Sequence, residues 1–147
     1  MYKYILLLHV LAATIWTGGH LVLALTVLPR ALKQGSPDII QQFEAGYERL
    51  GLPALGIQVA TGIWLALRYV PNVSHWISFN SPIAALLALK LLFVLLTLAL
   101  ALDARLRLMP RLSVQTLPAL AWHVFAVTLL SVGFVVVGVG FRVGGFP

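Results

Sequence analysis

From Tyr4 to Pro29 the chain carries no Asp, Glu, Lys or Arg, yet it holds two histidines, His9 and His20. The length of that stretch limits the fold more than anything else in the sequence. About 20 apolar residues cross the hydrocarbon of a bilayer. A single segment in oil must close its backbone hydrogen bonds within itself, so it becomes a helix. Three similar stretches follow, at about 50–69, 82–102 and 117–140. The residues are 61% hydrophobic and only 10% charged, whereas a soluble domain is about 25% charged. There is too little polar surface to cover a soluble globule. The reading is all-α: an integral membrane four-helix antiparallel bundle, one domain over residues 1–147, with spans at about 4–29, 50–69, 82–102 and 117–140 joined by short loops. The first run is too long for the apolar part of a signal peptide and no small-residue cleavage site follows it, so it reads as a retained helix.

The punctuation between the runs supplies the rest of the outline. Pro29-Arg30 is expected to end the first helix, with Ala31 to Gly35 as a polar turn. Ser36-Pro37 then reads as a cap followed by proline at the first helical position. Ile40, Phe43, Tyr47 and Leu50 recur at spacings of three and four. They predict a short amphipathic helix between spans 1 and 2, lying at the interface or packed on the bundle and running into the second span. Within that span Gln58 and Thr61 are polar, Gly56 and Gly62 allow close approach, and Trp64, Arg68 and Tyr69 mark an interface. Val70 to Asn80 forms a short connection, and Ser81-Pro82 repeats the cap-then-proline pattern. The third span is leucine and alanine broken by Lys90. Asp103 to Arg111, with Met109-Pro110, is expected to be a loop. The fourth span includes His123 and closes at Arg142, with Gly144-Gly145 loosening the tail. Gly140 to Gly144 matches GxxxG at a helix end, where it is a weak sign of a homodimer.

The formal charge is +6, but the basic residues are scattered and flank the apolar runs. Topology therefore explains them and nucleic acid is not a partner; the lipid bilayer is. Arg30, Lys33, Arg49, Arg105, Arg107 and Arg111 fall on the side of the first and third loops, against Lys3, Arg68 and Arg142 on the other. That asymmetry places both termini on the outer, periplasmic side of a bacterial inner membrane. The chain has no cysteine, so disulfides, iron–sulfur clusters and thiolate sites are excluded. Met1 and Met109 are its only methionines, which leaves little for a thioether copper site.

Ionisable side chains at membrane depth are the candidate site. His9 and His20 stand eleven residues apart, on one helical stripe with Ala13 and Trp16 between them. Depths counted from the span centres put His20 roughly 5 Å and His123 roughly 8 Å to the cytoplasmic side. The same count puts His9 about 11 Å and Lys90 about 3 Å to the outer side. His20 and His123 are thus expected to face each other nearly level, with Gly18-Gly19 leaving room for a flat porphyrin. His9 and Lys90 form a looser pair. Neutral imidazoles ligate iron or copper. A lysine near the bilayer centre costs at least ~2.5 kcal/mol, and all four acids (Asp38, Glu44, Glu48, Asp103) lie in or beside the cytoplasmic loops. Lys90 therefore invites a bound anion such as a propionate. The site residues are His9, Trp16, His20, Lys90 and His123, with His9, His20 and His123 as metal ligands. His75, beside Trp76 in the outer loop, is a further candidate ligand. The plain alternative for each histidine is a hydrogen bond between helices.

Leu8-His9-Val10, Trp16, Gly18-Gly19 and Leu28-Pro29-Arg30, with Tyr47-Glu48-Arg49, Pro53, Thr61-Gly62-Ile63-Trp64 and Leu89-Lys90-Leu91, resemble the CopD-like membrane proteins and the related HemJ-type protoporphyrinogen oxidases. The resemblance covers most of the chain. It implies a four-helix bundle. In the HemJ branch it implies haem b, with His9 and Lys90 at that branch's important positions; in the CopD branch it implies copper handling at the cell envelope. His20 and His123 do not belong to the HemJ pattern, and Ala99 to Asp103 stand where that branch has aromatic and polar residues. The first functional expectation is a small membrane cytochrome b holding one or two haem b groups, a haem-dependent oxidoreductase if it is an enzyme. It would pass electrons between a membrane quinol or porphyrin-like substrate and an envelope redox partner. The second is a copper-binding or copper-uptake protein of the CopD type. The third is a bundle without cofactor. No catalytic residue is assigned.

Overall fold

The structure is a computed structural model describing residues 1–79 and 81–144. Four helices are long and apolar enough to cross a membrane: α1 (Tyr2–Gln34), α2 (Pro37–Tyr69), α3 (Pro82–Arg111) and α4 (Leu117–Val143). They alternate in direction, so this is the all-α membrane bundle expected. α1 packs along α2 on one side and against α4 on the other, and α3 packs against α4. α2 and α3 approach each other little, apart from an ion pair between Glu48 and Arg105 near the end that holds the first and third loops. That end is called the basic end here, and the other the terminal end.

Two helices overrun their predicted limits, and for one reason. α1 continues past Pro29 to Gln34, and the expected loop from Asp103 to Arg111 is helical. A proline ring collides with the carbonyl four residues back and ends most helices. Here each proline is preceded by a π-helical segment, Leu23–Val27 before Pro29 and Ala104–Leu108 before Pro110. Leu28 N–H bonds to Leu23 O, five residues back, and Met109 N–H bonds to Ala104 O. The widened turn makes room for the ring. α1 stops instead at Gly35, whose φ of 59° is left-handed, with Ser36 N–H closing on Ala31 O at 3.0 Å.

The amphipathic stretch between spans 1 and 2 is continuous with α2, which runs unbroken through Pro53. Its apolar face packs on the bundle. Ile40 is 1% exposed in a cluster with Leu28, Ala31, Leu108, Leu117 and Leu120, with Phe43 against it, while Leu50 points outward. A helix of 33 residues is about 50 Å long and overhangs a hydrocarbon layer of about 30 Å. Ile40 precedes the apolar run at 50–69, and where such a side chain leaves water its burial stabilises by about 2–3 kcal/mol. Ser81 caps α3 through Ala84 N–H at 3.2 Å, whereas the Ser36 hydroxyl makes no cap bond. Gly144, at φ 82°, ends α4; Gly145, expected to loosen the tail, lies outside the described residues.

Candidate functional site

The three membrane histidines fall into two kinds. His9, on α1, places Nδ1 2.8 Å from Thr61 Oγ1 on α2. The Thr61 hydroxyl donates its own proton to Ile57 O at 2.6 Å, so toward His9 it can only accept. Nδ1 therefore carries the ring proton, and Nε2 keeps a lone pair. Gly62 lets the ring lie close: a Cβ there would stand 3.3 Å from His9 Cε1. His20 is set the same way, because Nδ1 donates to Trp16 O at 2.9 Å and a carbonyl can only accept. Its ring lies 4.4 Å from the Trp16 ring and edge-on to Tyr47 at 5.8 Å. Holding one imidazole nitrogen as donor so that the other is free is how proteins prepare a metal ligand.

His123 differs. Its Nε2 meets Asp103 Oδ2 at 2.6 Å and its Nδ1 faces Ala119 O at 3.3 Å. Both nitrogens are engaged by oxygens, and none is left for a metal. Arg107 donates to the same Asp103 oxygen at 2.8 Å, so His123 ties α4 to the basic end of α3. Its partner escapes a sequence reading that treats Asp103 as loop.

The expected pairing of His20 with His123 is not formed. Thr17 on α1 donates to Ser131 O on α4, and Thr128 donates to His20 O, both at 3.3 Å. This register sets His20 level with Thr128, five residues and about 7.5 Å along the axis from His123. The gap expected at Gly18-Gly19 is also not a porphyrin slot. A Cβ at Gly19 would overlap the Tyr47 ring, whose hydroxyl donates to Trp16 O at 3.1 Å. Gly18 has nothing within 4 Å of a Cβ. Tyr47 is the residue that sequence reasoning missed. Its signal was present in the small residues Gly19 and Gly51, which leave space on both sides of the ring.

At the terminal end, Lys90 on α3 reaches toward α4, with Nζ 3.7 Å from a Cβ at Gly138 and 5.0 Å from the Phe141 ring centre. It makes no ion pair among the described residues. Aromatic rings close this end. Tyr2 and Tyr69 share a hydroxyl hydrogen bond at 2.5 Å, Tyr2 lies beside Trp64, and Tyr69 lies 5.5 Å from Phe141. His75 lines an open cavity of about 640 Å³ with Tyr69, Asn72, Ser78 and Ser81, beside a loop fastened by Trp76 Nε1 to Val70 O at 2.8 Å. Among the described residues no three His, Cys, Asp or Glu side chains converge on a point that would hold a metal ion. The bundle therefore offers single imidazoles at separate levels, His9 in the terminal half and His20 in the basic half.

Comparison with known families finds a match to the family described as Copper resistance protein D over residues 41–141. The matched stretch takes in nearly all of α2, α3 and α4 and leaves out α1, which carries His9, Trp16 and His20. No curated protein and no solved structure matches.

Proposed function

The chain belongs to the Copper resistance protein D family, and from that premise we propose that this integral membrane protein moves copper ions across a bacterial inner membrane, with both termini on the periplasmic side. The observation that supports the reading is the His9 ring, fixed by Thr61 with its Nε2 lone pair free inside the bundle. Imidazole nitrogen suits copper. Without cysteine and with methionine only at Met1 and Met109, the chain offers nitrogen and oxygen donors. A single imidazole holds a cation weakly, and weak successive sites let an ion enter and leave. His9 and His20 are two such stations. Deleting the gene is expected to lower copper accumulation at least threefold under copper limitation. Restoring the wild-type gene recovers it, and His9→Leu, expressed to the same membrane level, does not. Accumulation unchanged by the deletion overturns the reading.

A haem b reading rests on one observation: the Lys90 ammonium lies deep in α3 with no carboxylate partner among the described residues, as a partner for a propionate would. The chain's own residues would hold the group by His9 Nε2 on α1 and Lys90 on α3; the His20–His123 pair is not available for it. The bound group would supply electron transfer with a membrane quinol or porphyrin-like substrate. On this reading, reduced-minus-oxidised spectra of purified protein show an α-band that Lys90→Leu diminishes. Colourless protein with no haem in a pyridine extract ends it.

A further inference from the structure

Three buried side-chain atoms have no hydrogen-bonding partner among the described protein atoms: Trp16 Nε1 on α1, Gln58 Oε1 on α2 and Thr97 Oγ1 on α3. Trp16 is 6% exposed and Thr97 1%. Lipid offers such atoms nothing, and each polar group left bare in hydrocarbon costs several kcal/mol. Buried polar atoms that find no protein partner mark an unseen ligand, most often water.

The three lie in the middle of the bundle. Trp16 precedes Thr17, which faces Ser131 on α4. Phe93 on α3 packs on Gly133 and Phe134 of α4, and Thr97 follows one turn further toward the basic end, level with the turn before Ser131. Gln58 precedes by one turn Thr61, the partner of His9. All three thus fall within about two turns, roughly 10 Å, along the axis. Thr17, Thr128 and Ser131, buried at the same level, give their protons to backbone carbonyls and present only acceptor oxygens.

The donor and acceptor pattern selects the occupant. Trp16 Nε1 only donates, Gln58 Oε1 only accepts, and Thr97 does both. A bare cation is repelled by the indole N–H, and an anion by the Gln58 oxygen. Water accepts from the first and donates to the second. We propose that the centre of the bundle, around Trp16, Gln58 and Thr97, holds bound water in the membrane interior. The site stands on these atoms alone.

The test uses copper-free protein in lipid bilayers, so that its failure and the failure of copper transport are separate results. Protein labelled with nitrogen-15 at tryptophan is examined by water-edited solid-state NMR, and the Trp16 indole signal is identified by its loss in Trp16→Phe. The expected result is transfer of magnetisation from water to Trp16 Nε1–H, reduced at least threefold in the double variant Thr97→Val with Gln58→Leu. Should the double variant fail to fold, Thr97→Val alone is read, with the same direction. A Trp16 indole that receives no magnetisation from water overturns the proposal, as does a signal that these replacements leave unchanged.

Discussion

Gly19→Ala is expected to lower the unfolding free energy of the detergent-purified protein by about 2–3 kcal/mol, at the upper end of the range for overpacking an interior. A methyl group there meets the Tyr47 ring, and the ring has nowhere cheap to go. It stacks on Phe43 at 5.5 Å and holds Trp16 O through its hydroxyl at 3.1 Å, contacts that a displaced ring gives up. Within the bilayer, helices are held together by close contact rather than by expulsion of water, so an α1–α2 seam forced apart loses its contacts outright. Tyr47→Ala alone is expected to cost about 2 kcal/mol, less than for a fully buried aromatic because the ring is half-buried. Adding Gly19→Ala to that variant should cost almost nothing more, because the methyl then enters vacated space. Unfolding by SDS, followed by circular dichroism, reads all three variants. Equal stability of Gly19→Ala and wild type, or simple addition of the two losses, would show that the ring is not wedged there.

Tyr47 illustrates what a sequence conceals in a membrane protein. The four spans were legible because a backbone in oil has one form available to it, and charge-poor runs of sufficient length announce it. Lys90 was legible for the converse reason: an ammonium group in a leucine run cannot go unnoticed. The helix ends were not. Pro29 and Pro110 carry the ordinary stop signal, and nothing in Leu23–Val27 or Ala104–Leu108 announces the π turns that let the helix pass. The charges from Asp103 to Arg111 read as a loop, and the helix that runs through them brings Asp103 to His123. Counting depth from the centre of each apolar run misplaces His20 against His123. The true register is set by single hydroxyl contacts, Thr17 to Ser131 and Thr128 to His20. Such contacts have no periodic signature. Nor could the sequence separate histidines with a free nitrogen from one with none, since that depends on which oxygen stands opposite each ring.

That separation sets the order of effects expected for copper. His9→Leu should weaken binding of Cu(II) to the terminal half of the purified protein at least 100-fold, since it removes the imidazole that Thr61 holds in place there. Thr61→Val keeps the shape of the side chain but removes the oxygen that receives the Nδ1 proton. The ring is then free to turn and to change tautomer, and a weakening of 10–100-fold is expected, the usual effect of losing a ligand's own support. Thr61→Ser, which restores the hydroxyl, should recover most of the affinity. His20→Leu should remove a second, separate binding event, because His20 is fixed by Trp16 O and not by Thr61. His123→Leu should leave copper binding unchanged, because both of its nitrogens already face oxygens. Calorimetric titration gives the affinities, and nitrogen hyperfine splitting in the Cu(II) electron paramagnetic resonance spectrum reports whether an imidazole is bound. If His123→Leu abolishes that splitting while His9→Leu and Thr61→Val retain it, the ion lies at the basic end, and the fixed tautomer of His9 serves only to join α1 to α2.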